Sequence, residues 1–163
     1  MMVSMMEVDW QAVLLDLLNT TPVVGDRIQD RLDDHWLRAH GGSDENLAVV
    51  RRLRDDLQRV VRGEADASML NGYLTGAHQL PRIDADGLEW SLEAGWAARV
   101  VLAWGELANE MPGRLRACAN DECRLFLLDR TRAGTARWCS MSACGNRMKA
   151  RRHYTRSARG GQA

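Results

Sequence analysis

Apolar residues recur at intervals of three and four along the first part of the chain. Trp10, Val13, Leu14, Leu17 and Leu18 fall at i, i+3, i+4, i+7 and i+8, which lines one face of a helix. Asn19, Thr20, Thr21 and Pro22 follow as stop signals. Asp33 to His40 predicts a short helical turn carrying Trp36 and Leu37 and closed by Gly41 and Gly42. Ser43 and Asp44 read as the N-cap of a second long helix with Leu47, Val50, Leu53, Leu57, Val60 and Val61 turned inward and Gly63 at its end. The opposite face holds Arg51, Arg52, Arg54, Asp55, Asp56 and Arg59, the pattern of a solvated surface with i to i+4 pairs. Ala67 to Gln79 predicts a third helix, weakened by Gly72 and Gly76, with Met69, Leu70, Tyr73, Leu74 and Ala77 on its apolar side.

The period then changes. Pro81 to Leu92 sets short runs on either side of Asp84, Ala85, Asp86 and Gly87, the composition of a small β-hairpin. Trp96, Val100, Leu102, Ala103, Trp104 and Leu107 belong to a helix apolar nearly all round, which is expected at the centre of the core. Met111, Pro112 and Gly113 break it. The expected organisation is a mainly α, multihelical body over residues 1–113 and a second unit over 114–163.

Charge reinforces that division. Residues 1–113 carry 19 acidic and 10 basic side chains, a balance of −9. Residues 114–163 carry 3 acidic and 12 basic ones, a balance of +9, although the whole chain sums to zero. A dense single-sign block predicts a polyanionic partner. At 163 residues, 45% of them hydrophobic and 27% charged, the composition is that of a globular protein with room for one domain and a small appendage. No apolar run is long enough to span a bilayer, and MMVSMMEVDW lacks the features of a secretory leader, so the expected compartment is the cytoplasm. Cysteines there stay reduced and pair through metals before disulfides.

All four cysteines lie in the basic unit. Cys118 and Cys123 form one C-x4-C pair, Cys139 and Cys144 another, with fifteen residues between. Two short-spaced pairs at that distance suit a tetrahedral ion gripped from both sides, and four thiolates in a closed shell point to zinc, with an iron–sulfur cluster as the chemical competitor. Such a site has no open position for water, so its role is structural. The 50-residue unit has few large apolar side chains, and zinc contributes on the order of 10 kcal/mol to folding such modules. Arg124 to Leu128 reads as a strand, Arg130 to Thr135 as a turn centred on Gly134, and Ala136 to Cys139 as the returning strand. Ser140 or Ser142 then caps a helix through the arginines. A knuckle, a hairpin and a helix that supplies the last ligand describe a treble-clef-like four-cysteine zinc finger. Arg137, Asn146 and Arg147 stand where they can support the sulfurs.

On that helix Lys149, Arg152, Arg156 and Arg159 group within an arc of roughly 80°, while Arg147 and Arg151 form a second group. Arg147, Lys149, Arg151, Arg152 and Arg156 are therefore the candidate nucleic-acid contacts; a solvated helix docking on the acidic body is the competing reading. No phosphate loop, nucleophile elbow or HExxH pattern is present, so an enzyme is not expected.

CANDECRLFLLDRTRAGTA followed by RWCSMSACGNRMKARRHYTR resembles the CGNR zinc finger family, and the early LLDLLNT is similar to the opening motif of the ABATE domain that accompanies that finger. The resemblance implies zinc on Cys118, Cys123, Cys139 and Cys144 and a role as a stress-induced transcriptional regulator in bacteria. The expected function is thus a DNA-binding transcriptional regulator, with DNA ahead of RNA as partner and a protein-interaction or effector-binding module as a further alternative. Asp16, Asn19 and Thr20 are the candidate effector or structural motif, and a helix-end cap is the simpler reading of Asn19 and Thr20.

Overall fold

The computed structural model describes residues 8–160, with the side chains of 155–160 excepted. Arg156 and Arg159 thus lie outside the described side chains. The fold is helix-rich, with small antiparallel hairpins and a four-cysteine cluster on its C-terminal side.

Helix α1 (Trp10–Leu18) starts where the Asp9 carboxylate accepts the Ala12 N–H at 3.0 Å, and it buries Val13, Leu14, Leu17 and Leu18 as the spacing predicts. A two-residue hairpin follows, β1 (Val23–Val24) with β2 (Arg27–Ile28), turning at Gly25 in the left-handed region (φ 62°). Its strands are too short for any period to show. Helix α2 (Asp34–Ala39) is capped by Asp33, whose carboxylate accepts the Trp36 N–H at 2.7 Å.

Helix α3 (Leu47–Val61) corrects two expectations. Its cap is Asn46, not Ser43 or Asp44: the Asn46 side chain accepts the Ala48 and Val49 N–H groups at 2.9 and 3.4 Å, which a residue further back cannot reach. Arg54 does not sit on a solvated face. It is 4% exposed, donates to Asp30 at 2.6 Å and Asp55 at 2.9 Å, and reaches the Thr20 hydroxyl at 3.3 Å. One turn later the buried Gln58 amide donates to the Leu18 carbonyl and the Thr21 hydroxyl. The helical i, i+4 pair stitches the chain leaving α1 onto α3, and the ion pair offsets the cost of burying the guanidinium.

The third helix stops early. Ala67–Leu74 is a 3-10 helix capped by Asp66, and Gly76 (φ 84°) ends any continuation. Strand β3 (His78–Asp84) begins where helix was expected and pairs with β4 (Gly87–Glu93) from His78↔Glu93 to Asp84↔Gly87. This hairpin is longer than predicted and exposed along nearly its whole length. Arg99 ties its end to the next helix by donating to the Leu92 and Ala94 carbonyls.

Helix α4 (Trp96–Glu110) runs through the centre, burying Trp96, Ala98, Val100, Val101, Ala103 and Leu107 against α1 and the 3-10 helix. Trp96 meets Trp10 and Trp36 edge-on at 6.3 Å, and its indole N–H donates to the His40 carbonyl at 2.7 Å.

The core does not stop at residue 113. Strand β5 (Leu115–Ala117) pairs antiparallel with β6 (Phe126–Leu128), and Phe126, 1% exposed, joins Leu14, Leu17, Leu53 and Leu57 in one continuous cluster. The strand predicted over 124–128 therefore exists in shortened form, but its partner is β5 rather than Ala136 to Cys139, which forms no strand. The Asp129 carboxylate explains the difference. It accepts from the Thr131 N–H and hydroxyl, the Ala136 N–H and Arg116, gathering 131–136 into a loop around itself. Those bonds, Thr131 first, hold its pKa down at about 2.

Beyond the loop, Ser140 accepts the Ala143 N–H at 3.1 Å and starts a single π turn, Met141–Gly145, that runs into α5 (Asn146–Gly160). Of the two serines considered as caps, Ser140 is the one used.

Candidate metal centre and basic helix

The two cysteine pairs are built differently. Cys118 leaves β5 and Cys123 enters β6, and the four-residue turn between them is closed by the Cys118 N–H donating to the Leu125 carbonyl and the Cys123 N–H to the Asn120 carbonyl, both at 2.8 Å. Cys139 and Cys144 bracket the Ser140 cap, so the π turn curls the second pair around the same point. The Ala119 N–H donates to the Arg137 carbonyl at 2.8 Å and locks one pair beside the other. Gly145 packs closely here: a Cβ at this position would lie 2.8 Å from the Met141 sulfur, so that side chain would have to shift, and 3.3 Å from the Trp138 ring.

All four sulfurs lie within 4.8 Å of one another. Cys123 and Cys139 sulfurs are 3.7 Å apart, Cys139 and Cys144 sulfurs 3.6 Å. A zinc–sulfur bond of about 2.3 Å gives a tetrahedron with an edge of about 3.8 Å, so the cluster has the size zinc needs. Electrostatics agree. Burial, with the crowded sulfurs adding to it, pushes the Cys123 thiol up to about 11 and Cys139 higher still. Burial acts on Cys144 too, but the Asn120 amide and the other sulfurs outweigh it and lower its pKa. Four thiolates at this spacing require a cation among them. The centre holds one structural zinc ion through Cys118, Cys123, Cys139 and Cys144.

The support around the sulfurs differs from the expected one. Asn120, 1% exposed, donates to the Cys144 sulfur at 3.4 Å, and the Cys139 N–H donates to the Cys118 sulfur at 3.4 Å. Arg137 instead stacks over Trp138 at 5.3 Å, and Asn146 is exposed. Asn120 was readable only as a turn residue inside the first C-x4-C, because nothing local says that its amide reaches a cysteine 24 residues on.

The LLDLLNT motif turns out to be a clamp on this unit. Asn19 stands one residue past α1. Its side-chain oxygen accepts the Phe126 N–H at 2.7 Å and its amide donates to the Phe126 carbonyl at 3.3 Å, so one side chain pairs with β6 as a neighbouring strand would. Thr20 donates to the Leu17 carbonyl at 2.8 Å, the helix-end bond expected of it. Asp16 lies 3.4 Å from the His40 Nε2. Arg62, at the end of α3, completes the grip by stacking on the Phe126 ring at 4.5 Å and donating to the Arg124 carbonyl. Replacing Asn19 by Ala leaves the Phe126 amide half-buried without its partner and is expected to cost about 1–3 kcal/mol. Urea unfolding of the zinc-loaded chain measures it, and Asn19→Asp, which keeps the acceptor and loses the donor, should fall between.

A cleft of about 760 Å³ separates the β1–β2 turn from the start of α5, bordered by Asn19, Asp26, Glu122, Cys123, Cys139 and Arg147. Along α5, Arg147, Lys149 and Arg152 are exposed. Arg151 reaches back to Glu122 at 2.8 Å and ties the helix to the knuckle, so its charge is partly engaged within the chain. Tyr154 is exposed beside them. No helix among the described residues is long and apolar enough to cross a membrane.

A model of the CGNR zinc finger matches residues 114–157, and the ABATE model, described as "Putative stress-induced transcription regulator", matches residues 11–121. No curated protein matches the chain.

Proposed function

The chain belongs to the ABATE family and ends in a CGNR zinc finger, and from that premise we propose that it is a DNA-binding transcriptional regulator whose zinc centre holds a basic helix against duplex phosphate. The observation that carries this reading is the exposed row of Lys149 and Arg152 on α5, with exposed Arg147 on another side of the helix, in a unit of balance +9 whose metal is fully ligated by protein. The finger then follows the treble-clef plan: a knuckle between β5 and β6, and a helix whose first turn supplies the last ligand. On this reading residues 114–163 contact nucleic acid and residues 1–113 form the body that carries them. By sequence spacing Arg156 is grouped with Lys149 and Arg152, Arg151 contributes less because Glu122 engages it, and the regulator acts in the cytoplasm on the chromosome. A closed four-thiolate shell offers no position for substrate or water, which favours a binder over an enzyme.

Neutralising Lys149 and Arg152 together to Ala tests the assignment. Removing one phosphate interaction should reduce the dependence of log affinity on log salt by about 0.9, so the pair should flatten the slope by nearly two and weaken binding at low salt, with zinc content unchanged. Unchanged affinity and slope would remove α5 from the interface. Exposed Tyr154 beside the cations supports RNA as the second reading, since an aromatic ring can stack on an unpaired base. Competition between duplex DNA and single-stranded RNA separates the two.

A further inference from the structure

The four zinc-binding sulfurs are not equally protected. Cys118 and Cys144 are buried, 7% and 5% exposed, and each accepts an N–H bond, from the Cys139 backbone and the Asn120 side chain. Cys123 and Cys139 are half-buried and both border the 760 Å³ cleft; Cys144 also lines it and lies 3.6 Å from Cys139, but it is buried and held by the Asn120 amide. The Leu125 N–H faces the Cys123 sulfur. No N–H of the described residues donates to the Cys139 sulfur, which meets only the sulfurs of Cys123 and Cys144. An N–H···S bond draws charge from a thiolate and lowers its nucleophilicity, so the sulfur without one keeps the most. Cys139 combines that property with access to solvent.

We propose that Cys139 is a modification site for hydroperoxides, with Cys123, 3.7 Å away in the same cleft, as the thiolate that resolves it. The Cys139 thiolate attacks one peroxide oxygen; an S–O bond forms, the O–O bond breaks and hydroxide leaves, giving a sulfenic acid. The Cys123 sulfur then attacks the Cys139 sulfur; an S–S bond forms, the S–O bond breaks and a second hydroxide leaves. Two thiolates have lost two electrons, the peroxide has gained them, and two solvent protons turn both hydroxides into water. Two of the four ligands are gone, so zinc is released. Because the disulfide joins the knuckle to the residue preceding the Ser140 cap, α5 loses the metal that fixed it to the hairpin. This inference rests on the zinc site alone and stands whether or not α5 binds nucleic acid.

The test uses the zinc-loaded full chain with hydrogen peroxide below stoichiometry, zinc release followed with a metallochromic dye, and cysteine oxidation mapped by peptide mass spectrometry. The expected first product is a Cys123–Cys139 disulfide formed in step with one zinc released, with Cys118 still reduced, and dithiothreitol with zinc should restore the starting state. Ala143→Leu, which puts a larger side chain at a non-ligand position lining the same cleft, should slow release several-fold with zinc stoichiometry still one. Three results would overturn the proposal: a first disulfide that contains Cys118 or Cys144, zinc retained while free thiols in the same solution are oxidised, or an Ala143→Leu variant that releases zinc as fast as the native chain.

Discussion

Stripping zinc from the full chain with a strong chelator is expected to lower the thermal midpoint of the body by about 10 °C, besides unfolding the finger. A small basic module with few apolar side chains suggests a finger that melts while the body stands. The π turn that carries Cys144 and leads into α5 is the part expected to depend most directly on the metal. The hairpin is different, because β5 and β6 belong to both units. Their outer ends carry Cys118 and Cys123, and their inner faces put Phe126, Leu115, Ala117 and Leu128 against α1 and α3. Structural zinc is worth on the order of 10 kcal/mol to an isolated finger. If about a third of that holds the hairpin in register, its loss passes roughly 3 kcal/mol to the body, and a protein of this size shifts by about 2–4 °C per kcal/mol. Calorimetry with and without chelator checks it. A body transition at the same temperature in both would mean that the two units are energetically separate despite their shared core.

Phe126→Ala should produce the largest effect of any single apolar truncation in the finger, about 3–5 kcal/mol. The side chain is 1% exposed, lies under the Arg62 guanidinium and sits among leucines from α1 and α3. Removing it leaves a cavity whose walls belong to different elements and cannot easily close together. The same change should weaken zinc binding, since Phe126 is what seats β6, and with it Cys123, on the body. Denaturant unfolding gives the first number and competition with a chelator of known affinity the second. Loss of stability with zinc affinity intact would show that the hairpin holds its metal geometry without the core behind it.

What could be read from the sequence was whatever repeats locally. The apolar faces of α1 and α4 follow from residues three and four apart, and the zinc ligands follow from two matched C-x4-C pairs, because each of these signals lies within a few turns of chain. Features that depend on a distant partner were not legible. Arg54 reads as one more cation on a charged face until Asp30 and Thr20 are seen to close over it. Residues 136–139 look like a natural return for β6 until Asp129 is seen to gather the intervening loop and β5 to occupy the edge. Asn19 reads as the end of a helix, which it is, but its amide is used 107 residues away. The basic row on α5 was visible in outline; the capture of Arg151 by Glu122 was not, since Glu122 lies 29 residues away on the knuckle.

On the proposed reading, zinc fixes a basic helix in position to meet nucleic-acid phosphate. Equilibrium binding of the full chain to a random-sequence DNA duplex, measured across a salt series with zinc present and again after chelation, addresses it most directly. The zinc-loaded chain is predicted to bind with log affinity falling linearly in log salt, with a slope steeper than about −2.7 for three or more phosphate contacts, and to lose most of that affinity on chelation. Absence of salt-dependent binding at low ionic strength, or binding that is the same without zinc, would contradict it.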